Sequence, residues 1–199
     1  MVFFIVLFFL YVVESKYYVE ITQTGIDEKP VLFKKWELKE CYRLSVDKSQ
    51  SYMYKNKDDV LSEYYYSDSE CKNDETLARQ ITVGENSKTT YEVPEHIAFT
   101  SSADDIDCPN RDTLDRNYYT SNVVESGSQF SKYEVREYEG ADYLYSLQCE
   151  DQNCKSEVSA TRIFKCDTCE GVLLNYQMQQ CGSPSLVVVI SALLLYLLI

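Results

Sequence analysis

The chain has 199 residues, with 32 acidic against 19 basic side chains, one histidine and a formal net charge of −13. So large an excess of negative charge repels phosphate, which excludes nucleic acid and anionic lipid as natural partners. Eighteen tyrosines and eight phenylalanines exclude a generic disordered tail, and the stretch between the two apolar ends suffices for one domain or two small ones with a real core.

Residues 1–15 predict a secretory signal peptide. An unbroken apolar run over 2–13 is followed by Glu14 and Ser15, and Val13 with Ser15 supplies the small residues of a cleavage site. The run shows no amphipathic face and matches no strand length. Lys and Arg are missing from its first segment, so the α-amino group is the sole positive charge there.

Residues 16–104 read as a first β-unit. KYYVEIT sets Tyr17, Val19 and Ile21 against Tyr18, Glu20 and Thr22, the alternation of a half-buried strand. In EYYYS, Tyr65 must oppose Tyr64 and Tyr66, so at least one of those faces is packed. LARQITVGENSKTTYEV is expected to form a hairpin bent at Gly84. His96, in VPEHIAF, is expected on the surface or on an edge strand, and any triad or Cys-His dyad would have to use it.

SSADDIDCPNRDTLD follows, the densest acidic loop. Asp105, Asp107, Asn110 and Asp112 offer oxygen ligands at a spacing that could begin a calcium site, but the turn glycine and closing glutamate of an EF-hand are missing. A solvated acidic linker is the stronger expectation. No other metal and no cofactor is expected.

Residues 105–182 read as a second, cysteine-rich β-unit. KYEVREYEGADYLYSLQC joins two alternating runs at Glu139-Gly140, a two-residue turn in which glycine supplies positive φ. The second run places Tyr143, Tyr145, Leu147 and Cys149 on one face. Segments 62–79 and 141–162 are similar to each other: Tyr64, Tyr66 and Ser67 match Tyr143, Tyr145 and Ser146. After four extra residues, Cys71, Lys72 and Arg79 match Cys154, Lys155 and Arg162. The expected fold is therefore all-β, with disulfide-stabilised antiparallel sheets in two related units.

Eight cysteines lie between the terminal segments: Cys41, Cys71, Cys108, Cys149, Cys154, Cys166, Cys169 and Cys181. An even count behind a signal peptide predicts disulfides. The internal similarity suggests Cys41 with Cys71 and, as its counterpart, Cys108 with Cys154, leaving Cys149, Cys166, Cys169 and Cys181 for two further bridges. The spacing of Cys149, Cys154, Cys166 and Cys169 comes close to a zinc ribbon, but an oxidising compartment favours disulfides. A redox role for CDTC lacks both a βαβ context and a source of thiolate stabilisation.

Residues 183–199 form an uncharged hydrophobic tail. It is expected to be a glycosylphosphatidylinositol signal with lipid attached at Gly182 or Ser183, which keeps all eight cysteines, or else a short transmembrane anchor. Either places the protein on the extracellular face of the plasma membrane through the secretory pathway. No phosphate-binding glycine loop, HExxH or Asn-x-Ser/Thr sequon is present. The expected function is a non-enzymatic binding module for an extracellular protein or glycan. The alternatives are a hydrolase using a carboxylate pair and a small secreted enzyme inhibitor.

In general plan (a signal, WELKEC, YYYSDSEC, spaced cysteines and a hydrophobic end) the chain resembles small cysteine- and tyrosine-rich surface or secreted proteins that amoeboid protists encode in families. The resemblance implies a surface or secreted location and brings no motif of known function.

Overall fold

The computed structural model describes residues 17–43, 50–57, 60–84, 88–103, 116–172 and 175–182. The protein is all-β. Its strands are β1 (Tyr17–Thr24), β2 (Pro30–Glu37), β3 (Cys41–Arg43), β4 (Ser51–Lys57), β5 (Val60–Tyr66), β6 (Thr76–Ile81), β7 (Thr89–Thr90) and β8 (Ala98–Ala103). They continue as β9 (Arg116–Tyr119), β10 (Val124–Ser126), β11 (Gln129–Tyr138), β12 (Ala141–Cys149), β13 (Glu157–Lys165), β14 (Thr168–Val172) and β15 (Asn175–Cys181). Among the described residues there is one turn of 3-10 helix, Ile26–Glu28, and no helix long and apolar enough to cross a membrane.

Three sheets form. A seven-stranded central sheet runs β14-β15-β8-β9-β2-β1-β7, and two four-stranded meanders run β3-β4-β5-β6 and β10-β11-β12-β13. Read outward from its middle, the central sheet goes β2-β1-β7 on one side and β9-β8-β15 on the other, all antiparallel. The register at the middle pairs Lys34 with Asn117, flanked by Phe33 with Tyr118 and Leu32 with Tyr119. An approximate twofold axis thus passes through the Lys34/Asn117 pair. β8, within residues 16–104, stands as the counterpart of β1.

Because side chains alternate along a strand, Leu32, Lys34 and Trp36 share one face of β2. That face carries both small sheets. Tyr18 and Trp36 stack with ring centroids 5.2 Å apart and are buried with Tyr42, Tyr52, Tyr54 and Leu61 of the first meander. The Trp36 indole N–H, which burial would otherwise strand, donates to the Tyr52 hydroxyl at 3.1 Å. Ala98 and Tyr119, which pair with each other, pack on Leu144, Phe164, Tyr133 and Val135 of the second meander. The opposite face gathers Val19, Phe33 and Tyr118, with Ile21 and Phe99 against them. The alternation in KYYVEIT therefore holds, yet Tyr18 and Val19 are both fully buried, since β1 lies inside a sheet covered on two sides at that point.

The two meanders share a loop. Asp68 accepts hydrogen bonds from the backbone N–H groups of Glu70, Lys72 and Asn73; Asp151 accepts from those of Asn153, Lys155 and Ser156. Cys71 and Cys154 occupy the same place between these donors, both at positive φ, and Ser67 N–H→Asn73 O is repeated as Glu150 N–H→Ser156 O. The match of Cys71 and Lys72 with Cys154 and Lys155 is thus structural, whereas Arg79 faces Glu63, the counterpart of Ser146, and Arg162 faces Tyr145. Strand register corrects the rest: Tyr65↔Thr76 corresponds to Gln148↔Ser159. Tyr64 and Tyr66 therefore stand at Leu147 and Cys149, not at Tyr143 and Tyr145. The four extra residues sit at the hairpin tip, where β11 and β12 make nine pairs against seven between β4 and β5.

The tip turn is the one expected, with Tyr138 opposite Ala141, Glu139 at φ 52° and Gly140 at φ 77°. The expected hairpin at Gly84 does not form. β6 completes a small sheet and β7 joins the central one, so the chain changes sheets there. Gly25 is required by close approach, because a side chain on it would strike the Val123 carbonyl, which accepts the Ile26 N–H at 2.8 Å and ties the two halves together.

Cys41–Cys71, Cys149–Cys154 and Cys166–Cys181 are disulfides, and Cys169 is also disulfide-bonded. The first is the expected bridge. Cys108 lies outside the described residues, and its expected pairing with Cys154 is overturned: by register the place of Cys41 in the second half belongs to Val123, which packs on the Cys149–Cys154 bridge instead. With no cysteine on the neighbouring strand, Cys154 closes back on Cys149, the residue standing where the first half has Tyr66.

Candidate functional site

On the face of the central sheet away from the meanders, side chains from four adjacent strands converge. β2 supplies Lys35, β9 supplies Arg116 and Tyr118, β8 supplies Phe99, and β15 supplies Met178 and Gln180; His96 enters from the segment before β8. Register explains the convergence. Phe99 pairs with Tyr118 and with Gln180, and Ser101 with Arg116 and Met178, so these side chains project on one side. Together they line a pocket of about 220 Å³.

Aromatic rings build its wall. Tyr118 stacks between Phe33 and Phe99, at centroid distances of 5.0 and 5.5 Å. His96 meets Tyr118 edge-on at 4.8 Å and faces Phe33 and Phe99 at 6.1 and 6.5 Å. Lys35 Nζ lies 4.7 Å from the Tyr118 ring centre and 5.0 Å from that of Tyr17, close enough for a cation–π attraction.

The polar groups lack carboxylate partners among the described residues, although Arg116 also hydrogen-bonds the Tyr118 hydroxyl. Elsewhere Lys55, Lys72, Arg79, Lys132 and Arg136 are each paired with carboxylates. Among the described residues no ion pair joins Lys35 or Arg116, and no carboxylate lines the pocket. Arg116 Nε is buried without a hydrogen-bond partner, and so is His96 Nε2. His96 Nδ1 sits 3.4 Å from the Pro94 carbonyl oxygen. A carbonyl only accepts, so the tautomer that uses this contact carries its proton on Nδ1 and leaves Nε2 as an acceptor.

Burial lowers the Lys35 pKa, as does the nearby Arg116 charge, against the opposing influence of Tyr17 and Glu37. Burial likewise lowers that of His96, opposed by the Pro94 contact and aided by Lys35, and raises that of Tyr118. The site is thus an aromatic-walled slot bearing two cations and one imidazole acceptor. It can hold an anion, and no described carboxylate lines it to serve as general base.

His96 is 7 % exposed, which corrects its expected surface position: Phe33, Phe99 and Tyr118 enclose it. Lys35 was missed in sequence. The signal was in VLFKKWE, where Lys35 falls on the same side of the strand as Val31 and Phe33.

A second pocket, of about 360 Å³, is formed by loop residues around Asp27, Asn122 and Asn153. Its polar groups serve the fold: Asn122 Nδ2 donates to Pro30 O, and the Asn153 N–H to Asp151. The possible calcium ligands Asp105, Asp107, Asn110 and Asp112 lie outside the described residues, as does Ser183. Gly182, the other expected attachment residue, donates its N–H to Ile97 O at 2.6 Å. Among the described residues no group of three His, Cys, Asp or Glu side chains could hold a metal ion. Cys149, Cys154 and Cys166 are taken by disulfides, which removes them from zinc chemistry. No protein-family model, curated protein or solved structure matches the chain.

Proposed function

We propose that this protein is a non-enzymatic binding module tethered to the extracellular face of the plasma membrane, and that it binds through the aromatic, cationic pocket on the central sheet. The observation that carries the binding role is the set of unsatisfied groups there. Two cations without a carboxylate partner among the described residues and a buried imidazole nitrogen without a hydrogen-bond partner cost stability unless something else gains from them. Each of the described pockets has at most one carboxylate in its lining, an arrangement that suits holding better than carboxylate-pair hydrolysis.

The location rests on sequence features and on the disulfides. Bridges such as Cys41–Cys71 persist in oxidising compartments, the apolar run at 2–13 fits an export signal, and the tail at 183–199 fits a lipid-attachment signal or short anchor. The test has two stages. Phosphatidylinositol-specific phospholipase should release the protein from intact cells; retention with the native C-terminal peptide still attached contradicts the lipid anchor. Small molecules retained on the released protein are then compared with those on the Lys35→Met/Arg116→Met double variant. Unchanged compounds held by the native chain alone support the reading, whereas identical profiles, or chemical conversion of what is bound, overturn it.

A further inference from the structure

We infer that the pocket takes a small planar organic carboxylate that also carries a hydrogen-bond donor, such as a hydroxybenzoate. The inference rests on the pocket being the binding site, and each part of it comes from a different group. Lys35 and Arg116 are cations without ion-pair partners among the described residues, in a chain whose acidic groups outnumber its basic ones 32 to 19. Their charge, unmet among the described residues, calls for an anion, and the Arg116 fork suits a carboxylate.

His96 supplies the second requirement. Its ring is nine-tenths buried and lines the pocket, Nδ1 is committed to Pro94 O, and Nε2 has no partner. An acceptor in that position is completed by an O–H or N–H on the ligand, not by a second anion.

Shape supplies the third. The Phe99 ring, backed by Tyr118 and His96, and the Met178 thioether offer polarisable surface to an aromatic body, which bare phosphate or sulfate would leave unused. At about 220 Å³ the space falls below the ~300 to 1,000 Å³ of pockets for drug-sized ligands, which limits the occupant to about one ring and its substituents.

The experiment is calorimetric titration of the full chain, expressed through a secretory host so that its disulfides form, with 4-hydroxybenzoate, benzoate and inorganic phosphate. We expect saturable binding of 4-hydroxybenzoate, benzoate weaker by roughly fivefold for the lost hydrogen bond, and no saturation by phosphate. Lys35→Met and Arg116→Met should each weaken 4-hydroxybenzoate binding by about tenfold or more, with Lys35→Arg retaining most of it. His96→Phe should abolish the preference for the hydroxylated ligand. Unfolding temperatures of the ligand-free variants near that of the native chain show that folding is not the cause. Phosphate binding as tightly as the carboxylates, no saturation by either carboxylate, or affinity indifferent to Lys35 and Arg116 overturns the inference. If the carboxylates fail but the released native protein still retains a compound that the double variant loses, the ligand class is wrong and the pocket's role stands. If both fail, the pocket is not the binding site.

Discussion

The two halves of the molecule follow one path and spend it differently. Each sends a strand pair into the central sheet, builds a four-stranded meander around an Asp-x-x-Cys-Lys loop, and returns to flank its own pair. In the first half the space between central sheet and meander is filled by a large aromatic stack, Tyr18 on Trp36 with Tyr54 against both. In the second half Ala98 and Tyr119 occupy the places of Tyr18 and Trp36, and the core shifts to Leu144 and Phe164. On the far face the twofold axis relates Phe33 to Arg116 and Lys35 to Tyr118. A position that one half fills with a buried ring the other fills with a cation. The pocket therefore lies where the two halves differ, and the comparison teaches that a repeated scaffold keeps its packing elsewhere while its paired positions here carry different groups.

The largest test of this contrast is in the core. Trp36→Ala removes a 4 % exposed indole, its stack with Tyr18 and its bond to Tyr52, and should cost about 3–5 kcal/mol in denaturant unfolding. Tyr119→Ala, at the equivalent position but only half-buried, should cost about 1.5–3 kcal/mol. Equal costs would mean that the aromatic stack does not set the first half apart.

Next come the bridges. Cys41–Cys71 spans 30 residues and Cys149–Cys154 spans 5. In the chain-entropy model, replacing both cysteines of the longer bridge by alanine costs about 3–4 kcal/mol, and of the shorter about 2 kcal/mol. A reversed order in urea midpoints would show that the short bridge acts on the folded state, where Val123 and Leu147 pack on it.

The parts legible in sequence were local. Alternation marked β1, Glu139-Gly140 marked the turn, and the repeated Cys-Lys pair marked the shared loop, because each is written within a few consecutive residues. The pairing of Cys154 was not legible, since it depends on Val123 occupying the place of Cys41, and only strand register shows that. Nor was the failure of the Gly84 hairpin, because turn chemistry does not tell whether the next strand returns to its neighbour or crosses to another sheet. The pocket was the least legible feature. Its strands adjoin in the order β2, β9, β8 and β15, so Lys35 and Gln180 meet through three pairings that no local pattern encodes.

The smallest expected effect separates the halves by pH. Asp68 and Asp151 both have carboxyl pKa values below the usual aspartate value; burial opposes the shift, most at Asp68, and at both residues the backbone N–H groups they accept from together outweigh it by favouring the charged form. Their folded values lie below the unfolded ones, so their contribution is intact above about pH 4 and is lost as pH falls through the lower, folded value. The two halves should lose it together. His96 behaves differently and belongs to the pocket. It is held neutral by burial among Phe33, Phe99 and Tyr118, with Lys35 and Arg116 the charged groups facing the same pocket. Its folded pKa is also below the unfolded value, near 6.5, so the unfolded chain binds the proton first and stability falls as pH drops from about 7 through that window. The slope from this one group cannot exceed about 1.4 kcal/mol per pH unit. In the His96→Phe variant the decline between pH 7 and 5 should flatten while the loss below pH 4 remains. A decline unchanged by that substitution would mean that the imidazole is already as accessible to protons in the folded chain as in the unfolded one, and that its burial does not set its protonation.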